Sequence, residues 1–88
     1  MKGSLDDSFK TELKKLIIEE CDLDIAPEAI GDDDPLFGSE SPIGLDSVDA
    51  LQISIALQNK YGLVITDSKE LRRVMKSINT LADRLRPE

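Results

Sequence analysis

The run from Asp46 to Tyr61 contains neither proline nor glycine, and Gly62 follows it directly. An unbroken segment of this length, started by an aspartate and stopped by a glycine, is committed to an α-helix. At about 100° per residue its apolar side chains fall into two stripes. Ala50, Ile53, Leu57 and Tyr61 cluster on one side, and Val48, Leu51 and Ile55 cluster about 140° away from them. One stripe has to face a core. The other either meets a partner or is covered by the chain's own loop.

The neighbouring segments follow the same period. Leu5, Phe9, Leu13, Leu16, Ile17 and Cys21 recur at three- and four-residue steps, which predicts an amphipathic helix from Leu5 to Cys21 capped by Ser4 or Asp6. Residues 22–45 break that rhythm at Pro27, Gly31, Pro35, Gly38, Pro42 and Gly44, and the triplet Asp32, Asp33, Asp34 is self-repelling. Apart from one helical turn at Pro27–Ile30, this segment reads as a long loop pinned to the core by Ile25, Ile30, Leu36, Phe37 and Ile43. Asp67 with Glu70 resembles a capping pair for a short helix ending near Val74 or Met75. Ser77 or Asn79 starts a fourth, which turns Ile78, Leu81, Ala82 and Leu85 inward until Pro87. No strand candidate exceeds Leu63–Ile65. The expectation is one all-α domain over residues 1–88: a four-helix bundle of three longer helices and one short helix, with a long loop between the first and second.

Composition removes most chemistry. Histidine is absent and Cys21 is the only cysteine, which excludes Ser-His and Cys-His pairs, an intrachain disulfide and the usual zinc sites. Cys21 reads as a partly or fully buried structural thiol. The segment Asp22–Pro27 lacks the glycine of a calcium-binding loop, so no metal site is expected. The net charge is −7, with 14 acidic and 4 basic residues before Ala50 and 4 acidic and 7 basic from there on. Such an acidic field opposes nucleic acid. No apolar run reaches the roughly 20 residues of a membrane span, and the first residues lack a secretory signal's apolar core. A cytoplasmic monomer without membrane insertion is the expectation.

Attention falls on "GLDSVDAL", residues 44–51. Asp46 suits an N-cap, and Asp49 stands where a capping box places its acidic member. Taken alone, this is complete as helix punctuation. Yet Ser47 then occupies the first helical position, where its hydroxyl is not needed for capping and can face water. A phosphate there would lie beside the positive end of the helix dipole. The flanking carboxylates disfavour a free anion, and the arrangement better suits a covalent phosphodiester.

At this point the residues match a known pattern. "DDDPLFGSESPIGLDSVDALQISIALQNKYGLVI" resembles the central segment of acyl carrier proteins, in Asp46-Ser47-Val48, the preceding Gly44-Leu45, and the element formed by Asp33, Leu36 and Phe37. Helix order and loop position extend the likeness over nearly the whole chain. The resemblance implies that a phosphopantetheinyl transferase attaches 4'-phosphopantetheine to Ser47, using coenzyme A and Mg2+, with Asp46 helping to present the serine. The arm's thiol would carry an acyl group for a fatty-acid, polyketide or specialised lipid pathway. The protein itself would have no catalytic residues. Val48, Asp49, Leu51 and Ile55 become candidate docking residues for acyl-transferring and acyl-modifying enzymes, and Ile53, Leu57 and Leu81 candidate lining of an acyl cavity between the first, second and fourth helices.

The departures define a specialised rather than a housekeeping member. Fatty-acid-synthesis carriers usually have a strongly acidic second helix, whereas Gln52, Gln58, Asn59 and Lys60 stand here, and Arg72, Arg73 and Lys76 follow. Surface charge steers partner choice, so a dedicated partner set is expected, unless the basic cluster is ordinary surface variation. A peptidyl or aminoacyl carrier would share Ser47 and its arm. A helical interaction module without an arm is the remaining alternative. A hydrolase using Ser47 has no histidine to serve as base.

Overall fold

The computed structural model describes residues 2–37, 41 and 43–87. Gly38 and Pro42, counted above among the helix breakers, lie outside the described residues. Within them the chain forms four α-helices, α1 (Asp7–Glu20), α2 (Ser47–Tyr61), α3 (Ser68–Val74) and α4 (Ile78–Leu85), with 3-10 turns at Gly3–Leu5 and Pro27–Ala29. The all-α four-helix arrangement is as expected. With eight residues, however, α4 exceeds α3 by only one.

Local chemistry explains each boundary. Asp6 caps α1 by accepting from the Phe9 N–H, and Leu5 stays outside in the preceding turn. The helix expected from Leu5 therefore starts two residues later, and Leu5 is exposed rather than part of the buried stripe. At the other end Asp22 adopts a left-handed φ of 52°, and the Leu23 N–H reaches back to the Ile18 carbonyl at 3.0 Å. This reversal closes the helix without a glycine. Gly62 ends α2 at φ 72°, donating to the Gln58 carbonyl. Asp67 caps α3 by accepting from the Lys69 N–H, and Ser77 caps α4 by accepting from the Thr80 N–H.

α1 packs against α2 and α4, while α3 bridges α4 and α2. Their apolar faces enclose Phe9, Leu13, Leu16, Ile17, Ile53, Leu57, Met75, Ile78 and Leu81. Burying each such side chain contributes about 1.5–3 kcal/mol. With few aromatic residues available, Phe9 meets Tyr61 edge to face at 5.8 Å, and the Arg86 guanidinium lies 4.0 Å over the Phe9 ring.

The long connection from α1 to α2 is anchored at named points. Ile30, Leu36 and Leu45 are buried in the core. Ile25 is not, and the pin expected there is absent because its side chain is exposed. Phe37 and Ile43 are half-buried against the core. A parallel bridge joins Phe37 to Leu45, with the Leu45 N–H donating to the Leu36 carbonyl at 3.0 Å. The acidic triplet is also used. Asp32 accepts from Lys10 at 2.9 Å and from Lys14 at 2.7 Å, Asp33 accepts from Asn79 Nδ2 at 2.6 Å, and Asp34 accepts from the Gly31 N–H. Self-repulsion is relieved because each carboxylate has its own donor.

Candidate functional site

The site is built on the first turn of α2. Asp46 Oδ1 accepts from the Val48 and Asp49 N–H groups, each at 3.0 Å, and Asp49 Oδ2 accepts from the Asp46 N–H at 3.2 Å. This reciprocal box leaves the Ser47 side chain out of the capping scheme. Ser47 is the first residue of the helix and is exposed. Just upstream, Ser41 Oγ accepts from the Ile43 and Gly44 N–H groups, and Gly44 turns at φ 57° to deliver Leu45 into the core. The serine is thus held at a helix tip between a buried leucine and a closed cap.

Beside it lies an open cleft of about 950 Å³. Phe37, Leu45, Ala50, Leu51 and Leu71 supply its apolar walls, Asp46 and Ser47 stand on one side, and Lys69 and Arg72 come from α3. The two stripes of α2 separate cleanly. Ala50, Ile53 and Leu57 are buried and Tyr61 is half-buried, whereas Val48, Leu51 and Ile55 are 62%, 58% and 51% exposed. The described part of the loop does not cover the second stripe. Asp49 is half-buried at the same end.

Ile53, Leu57 and Leu81, the candidate lining of an acyl cavity, lie in the interior of the bundle. All three are at 0% exposure and fill the packed core, and they do not line the cleft beside Ser47. The opening lies between α2 and α3, while α1 packs against both α2 and α4. Phe37, Leu45 and Leu71 complete this wall, and periodicity could not have paired them with Ser47. Lys69 was also missed. Its only signal is its place two residues after the Asp67 cap, on the helix that carries Arg72.

Cys21 sits half-buried at the end of α1. Burial, reinforced by the neighbouring Asp49 and Glu20 carboxylates, pushes its thiol up to about 11. At neutral pH it is a thiol, not a nucleophilic thiolate. Among the described residues no cluster of metal-ligating side chains occurs, and no helix is long and apolar enough to cross a membrane.

An exposed hydroxyl next to an open, largely apolar cleft fits a covalently tethered group that needs room beside its anchor. Comparison with known proteins points the same way. A family model described as a phosphopantetheine attachment site matches residues 11–85. Neither a curated protein nor a solved structure matches the chain. Domains of this family bear a covalently attached 4'-phosphopantetheine and generally act as non-catalytic carriers that meet a phosphopantetheinyl transferase and the enzymes of a pathway. The match runs from within α1 to the end of α4, and the chain belongs to the phosphopantetheine-attachment family.

Proposed function

We propose that this chain is an acyl carrier whose arm is attached at Ser47. The observation that carries the reading is the exposed Ser47 hydroxyl at the start of α2, free of the capping box and beside the cleft. In the attachment step Ser47 Oγ forms a bond to the pantetheine-bearing phosphorus of coenzyme A. The anhydride P–O bond breaks, 3',5'-ADP leaves, and the hydroxyl proton passes to a base of the transferase, with Mg2+ held by that enzyme. Once attached, 4'-phosphopantetheine supplies a terminal thiol that holds an acyl group as a thioester. The protein's own residues position and present. Asp46 fixes the helix tip, and the cleft walls shelter the apolar part of what is tethered.

Docking falls to the exposed stripe Val48, Leu51 and Ile55, with Asp49 beside it. An apolar strip of this kind on a carrier that works as a monomer is suited to transient burial against enzymes. The charge pattern favours a dedicated set of fatty-acid, polyketide or specialised lipid enzymes. α2 carries Gln52, Gln58 and Asn59 at its surface, Lys60 is paired with Glu12 at 3.0 Å, and Arg73 and Lys76 are exposed. Because coenzyme A is the donor, the reading places attachment in the cytoplasm.

Incubation with coenzyme A, Mg2+ and a broad-specificity transferase, followed by intact mass measurement, tests the proposal. The expected result is a gain of one phosphopantetheine in the wild type and none in Ser47→Ala. An unchanged wild-type mass would leave a helical interaction module instead. Loading the holo protein with acyl rather than aminoacyl donors distinguishes the acyl from the peptidyl carrier. Strong, salt-sensitive binding to a general ketosynthase would count against the dedicated partner set.

A further inference from the structure

The chain has 18 acidic and 11 basic residues, and five of the basic ones, Lys10, Lys14, Lys60, Arg84 and Arg86, form ion pairs among the described residues. Lys69 and Arg72 are exposed and form none among the described residues, although both line the cleft that holds Ser47. Across that cleft, an arm anchored at Ser47 places the single negative charge of a phosphodiester between Asp46 and Asp49. Neither carboxylate is free to swing away, because each is held in the capping box. The first turn of α2 has little left to offer an anion either. The Val48 and Asp49 N–H groups are taken by Asp46 Oδ1, and the Ala50 N–H by the Asp46 carbonyl. The helix dipole remains, worth about 0.3–1 kcal/mol at an exposed site, and it is opposed by two carboxylates. Among the described residues, the cations that line this cleft are Lys69 and Arg72 of α3.

We propose that Lys69 and Arg72 bind the phosphodiester of the attached arm across the cleft, drawing the arm over α3 instead of letting it extend into solvent from the tip of α2. The inference rests on attachment at Ser47. It assigns the α3 cations a ligand of their own chain, separate from enzyme docking. Arg72 is suited to the role because a guanidinium offers a planar fork to phosphate oxygens. Lys69 adds a mobile point charge. A carboxylate at the far end of an acyl cargo is the other oxyanion that the tether could bring to this site.

The test compares 15N–1H spectra of the apo protein and of the holo protein made with coenzyme A, Mg2+ and a broad-specificity transferase, after intact mass has shown conversion. The amides of Lys69 to Arg72 and the Arg72 side-chain Nε–H are expected to shift on conversion. Raising NaCl from about 20 to about 500 mM shortens the screening length several-fold and is expected to reduce those shifts by about twofold or more. Lys69→Gln/Arg72→Gln is expected to abolish the backbone amide shifts, while Lys69→Arg/Arg72→Lys retains them. Shifts confined to residues 46–50 in a fully converted sample would overturn the proposal and leave the carrier reading intact. So would shifts in α3 that appear only with a succinyl cargo and not with a butyryl one, since the bound oxyanion would then be the cargo's carboxylate. A failure to convert at all would overturn attachment at Ser47 and the proposal with it.

Discussion

Lys14 Nζ lies 2.7 Å from Asp32 Oδ1, and this contact ties the middle of the long connection to α1. Lys10 holds the second oxygen of the same carboxylate at 2.9 Å while remaining largely buried. Asp33 and the Asp32 carbonyl reach α4 at Asn79. One acidic corner thus fastens the loop to two helices, and the loop in turn presents Leu45 and the start of α2.

Replacing Asp32 with Asn is expected to cost about 1–2 kcal/mol at pH 7, from two charge-assisted hydrogen bonds discounted for partial exposure. The hydrogen bonds from Lys14 and then Lys10 hold the Asp32 carboxyl below its ordinary value. Its contribution is therefore complete above the unfolded value near pH 4 and is lost as pH falls through the lower folded value. Lys10 is shifted upward, chiefly by the hydrogen bond to Asp32, so its share is present below its ordinary value and lost as pH rises through the folded one. Urea melts of both proteins should differ at pH 7 and converge in acid.

Asp46→Ala removes the acceptor for two N–H groups at the tip of α2 and is expected to destabilise by about 1 kcal/mol. Ser47→Ala, which removes only an exposed hydroxyl, should stay within about 0.5 kcal/mol of wild type. Denaturant midpoints separate the two. The attachment assay should show slower arm transfer to Asp46→Ala, because a frayed first turn presents the serine less well.

Val48→Lys and Ile55→Lys should leave stability within about 0.5 kcal/mol, since both side chains are more than half exposed. Both should weaken transfer of acyl groups by cognate enzymes, measured as a rise in KM. Ile53→Ala, on the opposite stripe and at 0% exposure, should instead cost about 2–5 kcal/mol by leaving a core cavity. A KM effect without a melting shift is the signature expected of the outer stripe.

Cys21 should react sluggishly with alkylating reagents. A thiol at about 11, against an ordinary 9.0, has roughly 100-fold less thiolate at pH 8. Iodoacetamide trapping followed by mass analysis should show that deficit in the folded protein and its disappearance in urea.

Gly62→Ala should destabilise by about 1–2 kcal/mol. Nothing lies within 4 Å of a Cβ placed there, so the whole effect comes from the left-handed φ of 72° and none from crowding. A thermal melt reads it directly.

How much of this could be read from the chain follows from the range of each interaction. The caps at Asp46, Asp67 and Ser77 and the stop at Gly62 are settled within a few residues of themselves, and so are visible in sequence. The exposed stripe of α2 is legible too, because helical phase separates it from the core. The Asp32 clasp is not, since Lys10, Lys14 and Asn79 are brought to the loop only by the finished packing. The cleft escapes for the same reason. Phase alone assigns Ile53, Leu57 and Leu81 to an inward face, but whether that face meets another helix or a gap is decided by the finished packing. Leu5 and Ile25 are apolar residues that the bundle leaves at its surface because a turn and a loop, not a helix face, carry them.

The Gly3 N–H donates to the Arg86 carbonyl at 2.9 Å, the Ser4 N–H to the Asp83 carboxylate at 3.0 Å, and Arg86 pairs with Asp6. Both strands of backbone therefore leave the bundle side by side. A short peptide could join them, making a circular chain, or the bundle could be spliced into a hairpin of an unrelated host without prising that hairpin apart.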